Sequence, residues 1–286
     1  MNADIPRTKQ NPEPDSLPNF HTHTALCRHA EGMPEDYIRE AAKAGCSALG
    51  FSDHCPWPSE SAARFWPETR MREDQLPLYL TEVKKAEETA RRGGFRFPVY
   101  TGFECEWDAS MRSWYKDDLL GGFGADYLVL GSHWLTMDNG YHLYIAEVTD
   151  QPSLLHRYTD QTIEGMASGF FRFLAHPDMF MSGWKEWDAE AEACAKALIA
   201  AAKDLGLPLE VNGFGMIKPP NRTTRGIRFQ YPYREFWELA AAEDVKVICN
   251  SDAHAPSLVL QNARHAREFA LEAGIRPENI MEDILQ

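Results

Sequence analysis

Short apolar runs alternate with longer amphipathic stretches from about residue 19 to the end of the chain. The runs in "NFHTH", "SALGFSDH", "FPVYTGFECEW", "DYLVLGSHW", "FRFLAHPD", "LPLEVNG" and "VKVICNSDAH" predict strands. Between or after them, "PEDYIREAAKAG", "LPLYLTEVKKAEETARRGG", "DAEAEACAKALIAAAKDLG", "REFWELAAAEDV" and "LVLQNARHAREFALEAG" predict helices. The first of these opens on Pro34, Glu35 and Asp36 and stops at Gly45, as a capped helix should. Strands alternating with helices imply a parallel sheet wrapped by helices. Seven strand candidates predict a single barrel-like α/β domain over residues 19–286, with an open doubly wound sheet as the alternative. No glycine-rich dinucleotide loop follows the first strand, which weakens that alternative. Residues 1–18, polar and proline-rich, predict a disordered leader.

Composition narrows the classes of partner. The chain has 286 residues, 44% of them apolar, and a formal charge of −14. An acidic surface repels long polyanions, so no polymeric nucleic acid is expected, while a small anion remains open wherever bound cations reverse the local sign. No run reaches the ~18 apolar residues of a membrane span, so no membrane partner is expected. Six scattered cysteines without a CxxC pair read as free thiols in a reducing compartment, and no apolar segment of signal-peptide type opens the chain. A cytoplasmic location follows as the expectation.

The reactive residues fall where a barrel would use them. His21 and His23 end the first strand and His29 follows shortly after; His54 ends the second. Glu104 lies on the third, His133 at the fourth, His176 at the fifth, and Asp252 with His254 at the seventh. Seven of the ten histidines thus sit at strand ends or just beyond. In parallel α/β folds those carboxyl ends gather at one face, where the site is built. In "HTH" and "DAH" the polar side chains stand at i and i+2 and so point the same way. Imidazoles with carboxylates and no thiolate suit Zn, Mn or Fe in a catalytic site. Glu106 competes with Glu104 on the same face, Asp53 and Asp178 read as supporting partners or caps, and His142, His156 and His265 read as solvated surface.

In order and spacing these nine residues resemble the PHP (polymerase and histidinol phosphatase) family of metal-dependent phosphoesterases, from about residue 19 to 256. "HTHTALCRHAEG", "FSDHCPWP" and "EVNGFGMIK…RGIRFQYPY" are most similar to its L-histidinol-phosphate phosphatases, with "PPNRTTRGI" standing as an insertion. The resemblance implies a distorted (β/α)7 barrel holding three divalent ions. By carry-over, His21, His23, Glu104 and Asp252 would hold the first, and Glu104 would bridge to a second bound by His133 and His176. His29, His54 and His254 would hold the third.

The implied reaction is hydrolysis of a small phosphate monoester, best matched by L-histidinol phosphate in histidine biosynthesis. A metal-bridging hydroxide would attack phosphorus in line. Glu104 and Asp252 are the expected catalytic carboxylates, Asp252 as a candidate to orient the nucleophile or carry a proton. Arg225 and Arg228 are the candidate substrate-binding cations. Rival readings are a PHP-type nucleotide phosphodiesterase or nuclease, an amidohydrolase-type C–N hydrolase and a non-catalytic metal-binding module. The surplus ligands His29, His54 and His254 and the absence of a fourth-strand lysine stand against the amidohydrolase.

Overall fold

The structure, a computed structural model, describes residues 16–59, 66–95 and 97–285. One parallel sheet contains β1 (Leu17–Asn19), β2 (Cys46–Phe51), β3 (Val99–Cys105), β4 (Tyr127–Gly131), β5 (Leu174–Ala175), β6 (Leu209–Asn212) and β7 (Val247–Asn250), in chain order. It closes just beyond β7 and β1. The His23 amide donates to the Ala253 carbonyl at 2.9 Å and the Ala253 amide to the His21 carbonyl at 3.3 Å. The result is the expected seven-stranded barrel, irregular because its seam is made by loop backbone rather than by a full ladder.

The barrel is wrapped by α1 (Pro34–Ala44), α2 (Leu76–Arg92), α3 (Pro152–Ala167), α4 (Ala189–Leu205), α5 (Arg234–Glu243) and α6 (Gln261–Glu272). Five of these match the helices expected from periodicity; α3 does not. Its buried face carries Thr159, Thr162 and Gly165 beside Leu155, Tyr158 and Met166, so polar residues break the apolar stripe. The two threonine hydroxyls are satisfied locally, donating to the carbonyls of Leu155 and Tyr158. Residues 1–15 of the expected leader lie outside the described residues. Leu17 and Pro18, also assigned to it, belong to β1.

Alternation along each strand sorts the interior into layers. Phe20, Ala48, Tyr127, Val129, Phe173, Ala175 and Ile248 form an apolar floor inside the barrel. Gly102 leaves room for the Tyr127 ring: a β-carbon there would lie 2.6 Å from it. The Tyr127 hydroxyl donates to the Phe20 carbonyl at 2.8 Å. Above this floor Glu210, Asn212 and Asn250 make a buried polar layer on β6 and β7. The strand-end histidines and acids lie above that. The opposite strand faces, including Phe103, Leu128, Leu130, Val211 and Val247, pack outward into a second core beneath the helices. All six cysteines are free.

Candidate metal centre

Glu104 shares a face of β3 with Gly102 and therefore points into the barrel mouth. Its Oε2 lies 3.4 Å from Nε2 of both His21 and His23 and 3.0 Å from His54 Nδ1. Its Oε1 lies 3.0 Å from His176 Nε2 and 3.5 Å from His133 Nε2. Asp252 Oδ1 stands 3.1 Å from His23 Nε2 and 3.5 Å from His21 Nε2, which are themselves 3.1 Å apart. One carboxylate thus faces two donor groups, with an oxygen turned to each.

The tautomers fix what those nitrogens offer. His21 Nδ1 donates to Glu210 at 2.8 Å and His133 Nδ1 to Glu106 at 2.7 Å. His29 Nδ1 and His254 Nδ1 donate to the carbonyls of Cys27 and Asp252, both at 3.0 Å. In the neutral imidazole the remaining nitrogen is then an acceptor. So His254 Nε2 and His29 Nε2 present lone pairs to each other across 2.9 Å. Asp252 Oδ1, buried, has no donor aligned to it. Acceptors facing acceptors at these distances call for a shared cation. An ion bound tetrahedrally at ~2.0–2.2 Å separates its donors by ~3.3–3.6 Å, close to the spacings around His21, His23, Glu104 and Asp252.

Charge points the same way. Glu104, Asp252, Glu210, Glu106 and Asp53 are all buried around the cavity, an arrangement costly without compensating cations. Burial pushes the carboxyls of Glu104 and Asp252 up, but the surrounding imidazoles outweigh it and hold both well below the usual range. Burial pulls His21 down; Glu210, Asp252 and Glu104 reverse this and hold it well above its ordinary value. His23 is raised in the same way against burial by Asp252 and Glu104, and His133 against burial by Glu106 and Glu104. Burial instead lowers His29 and His54, and takes His254, beside His23 and His29, down to about 3.

Of the nine residues singled out from the sequence, seven line one cavity, and His21 and His176 stand against it through Glu104. The donor atoms gather as His21–His23–Glu104, as Glu104–His133–His176, and as His23–His54–His254 with His29 against His254. His176 and Asp252, each just past a strand end, take positive φ angles of 30° and 48°. Such angles are uncommon in non-glycine residues and are strained unless the surrounding structure holds them. Glu106 orients His133, and Asp53 receives the Thr24 amide at 2.6 Å, so both support donors. Burial raises Asp53 to about 6 and Asp178 to about 7; Asp178 accepts from the Tyr233 amide and the Trp237 indole.

Arg225 and Arg228 do not line the cavity. Both lie on a hairpin (Asn221–Thr223 with Gly226–Arg228) that carries them outward. Arg225 pairs with Glu235, and Arg228 donates to the carbonyls of Met181, Lys185, Phe229 and Gln230 while stacking on Tyr233. The cavity wall instead holds Lys218, Phe214, Tyr231, Trp66, Tyr144 and Met179. A larger groove lined by Glu73, Asp74, Trp114 and Asp118 contains none of the nine donors.

Fold and site together define an α/β barrel whose strand ends are furnished for divalent cations. The PHP domain family model matches residues 19–213, which span β1 to β6, and the chain belongs to that family. A Deinococcus radiodurans protein named "Probable histidinol-phosphatase" is 30% identical, with 85% of this chain and 88% of that protein covered. A protein of the same name from Schizosaccharomyces pombe is 22% identical, with 89% and 86% covered. Among solved structures, histidinol phosphate phosphatase from Lactococcus lactis, complexed with zinc, L-histidinol and phosphate, superposes with a TM-score of 0.67. It is 15% identical, with 91% of this chain and 95% of that chain covered, a likeness of fold.

Proposed function

We propose that this chain is a metal-dependent phosphatase hydrolysing L-histidinol phosphate to L-histidinol and phosphate. The observation that carries the reading is Glu104, one buried carboxylate whose two oxygens each face a separate group of imidazoles. That arrangement suits a multi-ion phosphoesterase site, and the two relatives of matching length carry the histidinol-phosphatase name.

His21, His23, Glu104 and Asp252 would hold one ion, His133 and His176 a second shared through Glu104, and His29, His54 and His254 a third. Bound divalent ions would acidify a water and screen the charge on phosphoryl oxygens. Asp252 Oδ2 is steadied by Asn212 Nδ2 at 3.1 Å, leaving Oδ1 turned to the cavity and ionised. Oδ1 would therefore be the oxygen that joins His21, His23 and Glu104 around the first ion and orients the attacking water. Glu210 and Glu106 hold His21 and His133 with Nε2 inward. Trp66 and Tyr144, with ring centroids 5.4 Å apart and planes inclined by 48°, give the wall two aromatic faces, against either of which an imidazole can stack. A cavity of about 120 Å³ favours a small ester over a polymer.

The test is phosphate release by metal-analysed protein from L-histidinol phosphate, glycerol phosphate, nucleotides, phosphodiesters and an amide and lactone panel. L-Histidinol phosphate should exceed the other monoesters in kcat/KM by about 10²-fold or more. Preference for a phosphodiester or an amide would overturn the assignment.

A further inference from the structure

We infer that Lys218 is the cation on the cavity wall that anchors the substrate's phosphate. The inference rests on the phosphatase reading above.

Among the described residues, Lys218 is the only lysine or arginine lining the cavity. Its Nζ is seated between two aromatic faces, 4.8 Å from the Phe214 ring centroid and 4.9 Å from that of Tyr231. Each ring also touches a donor imidazole. Phe214 stacks on His254 with centroids 4.3 Å apart, and Tyr231 lies 5.7 Å from His176. The ammonium thus stands between a ring packed on His176, just past β5, and a ring packed on His254, beyond β7. Among the described residues it has no carboxylate within salt-bridge distance and no hydrogen-bond acceptor. Its three N–H groups are uncommitted.

An aromatic cage holds an ammonium in place without using its hydrogen-bonding capacity. A positive charge facing a site built for several divalent ions is repelled unless an anion lies between them. A phosphate dianion resolves both features, because it can accept from Nζ while its other oxygens face the cations. The two arginines of the adjoining hairpin are spent on Glu235 and on backbone carbonyls, so they leave this role to the lysine. Burial lowers the Lys218 pKa, while Asp252 and Glu104 act to keep the charge.

The test is calorimetric titration of inorganic phosphate into metal-loaded wild type, Lys218→Met and Lys218→Gln, with metal content measured on each. Both variants should keep the wild-type metal content and bind phosphate about 10- to 100-fold more weakly. Where activity is present, kcat/KM should fall by a similar factor for L-histidinol phosphate and for p-nitrophenyl phosphate. Unchanged phosphate affinity would overturn the inference. A loss confined to the alkyl ester would also overturn it, since that marks Lys218 as proton donor to a poor leaving group. The phosphate titration needs no turnover. Lysine-dependent phosphate binding in a protein inert to monoesters would refute the phosphatase reading and, with it, the substrate role, leaving Lys218 as a phosphate ligand alone.

Discussion

Glu210 does not line the cavity, yet four groups depend on it. It accepts from His21 Nδ1 and Asn250 Nδ2 through Oε1, and from the His176 amide and Asn212 Nδ2 through Oε2. One carboxylate thereby sets the tautomer of one donor and the backbone position of another. Partners of this kind are typically worth 10–100-fold in metal affinity. Glu210→Ala should lose metal to a competing chelator about 10–100-fold more readily than wild type, read as bound metal after dialysis. Equal retention would remove Glu210 from the site. Glu104→Gln is harsher, since an amide cannot offer two anionic oxygens. It should lose at least one ion per chain, with kcat reduced about 10³-fold or more. The donors themselves were legible because HxH and DxH on strands give a face as well as an identity. Glu210 was not, because "LPLEVNG" reads as an ordinary buried strand and its partners come from β1, β5 and β7. Lys218 was hidden for a different reason. "MIKPPN" reads as exposed loop, and only the return of the chain at Tyr231 makes it a wall.

At the scale of elements, the site depends on how closely β3 and β4 approach. Gly131 ends β4 directly beside Glu104, and a β-carbon there would collide with the Glu104 carboxylate. Gly131→Ala should displace that carboxylate and cut activity and metal content together, with far-ultraviolet circular dichroism unchanged. Normal metal loading in this variant would show that Glu104 has slack the structure does not reveal. Strands and five helices were readable from periodicity because each buries one consistent face. Helix α3 was not, since Thr159, Thr162 and Gly165 occupy buried positions, Gly165 for its close approach to Trp107. The two hairpins, Trp134–Thr136 with His142–Tyr144 and Asn221–Thr223 with Gly226–Arg228, carry little periodic signal because their strands are only three residues long.

For the whole molecule, the consequence is that folding, metal binding and proton binding are linked. The barrel seam is formed by His21, Thr22, His23 and Ala253, the same segments that supply donors. Removing ions should therefore loosen the closure itself. At free metal near 100 times its dissociation constant, each site adds about 2.7 kcal/mol of stability. Chelation should accordingly lower Tm by about 5–10 °C for each ion removed, measured by scanning calorimetry; an unchanged Tm would separate the donors from the fold. Proton linkage has a definite sign. In the metal-free cavity the neighbouring carboxylates outweigh burial and hold His21, His23 and His133 above the ordinary histidine value, so at these donors a metal competes with protons. His29, His54 and His254 are held below it and are already neutral. His21 Nε2 and His23 Nε2, 3.1 Å apart, cannot both be protonated where they face each other, so at least one proton should leave that pair per chain. Metal affinity should thus fall as pH is lowered through the raised histidine values. Zinc titrations at pH 7 in buffers of different ionisation enthalpy should give apparent enthalpies that become more exothermic as buffer ionisation enthalpy rises, by about one or more protons released per chain. Heats independent of the buffer would mean that the donors are already deprotonated in the metal-free state. The carboxylates around them would then be too weak a field to account for the site.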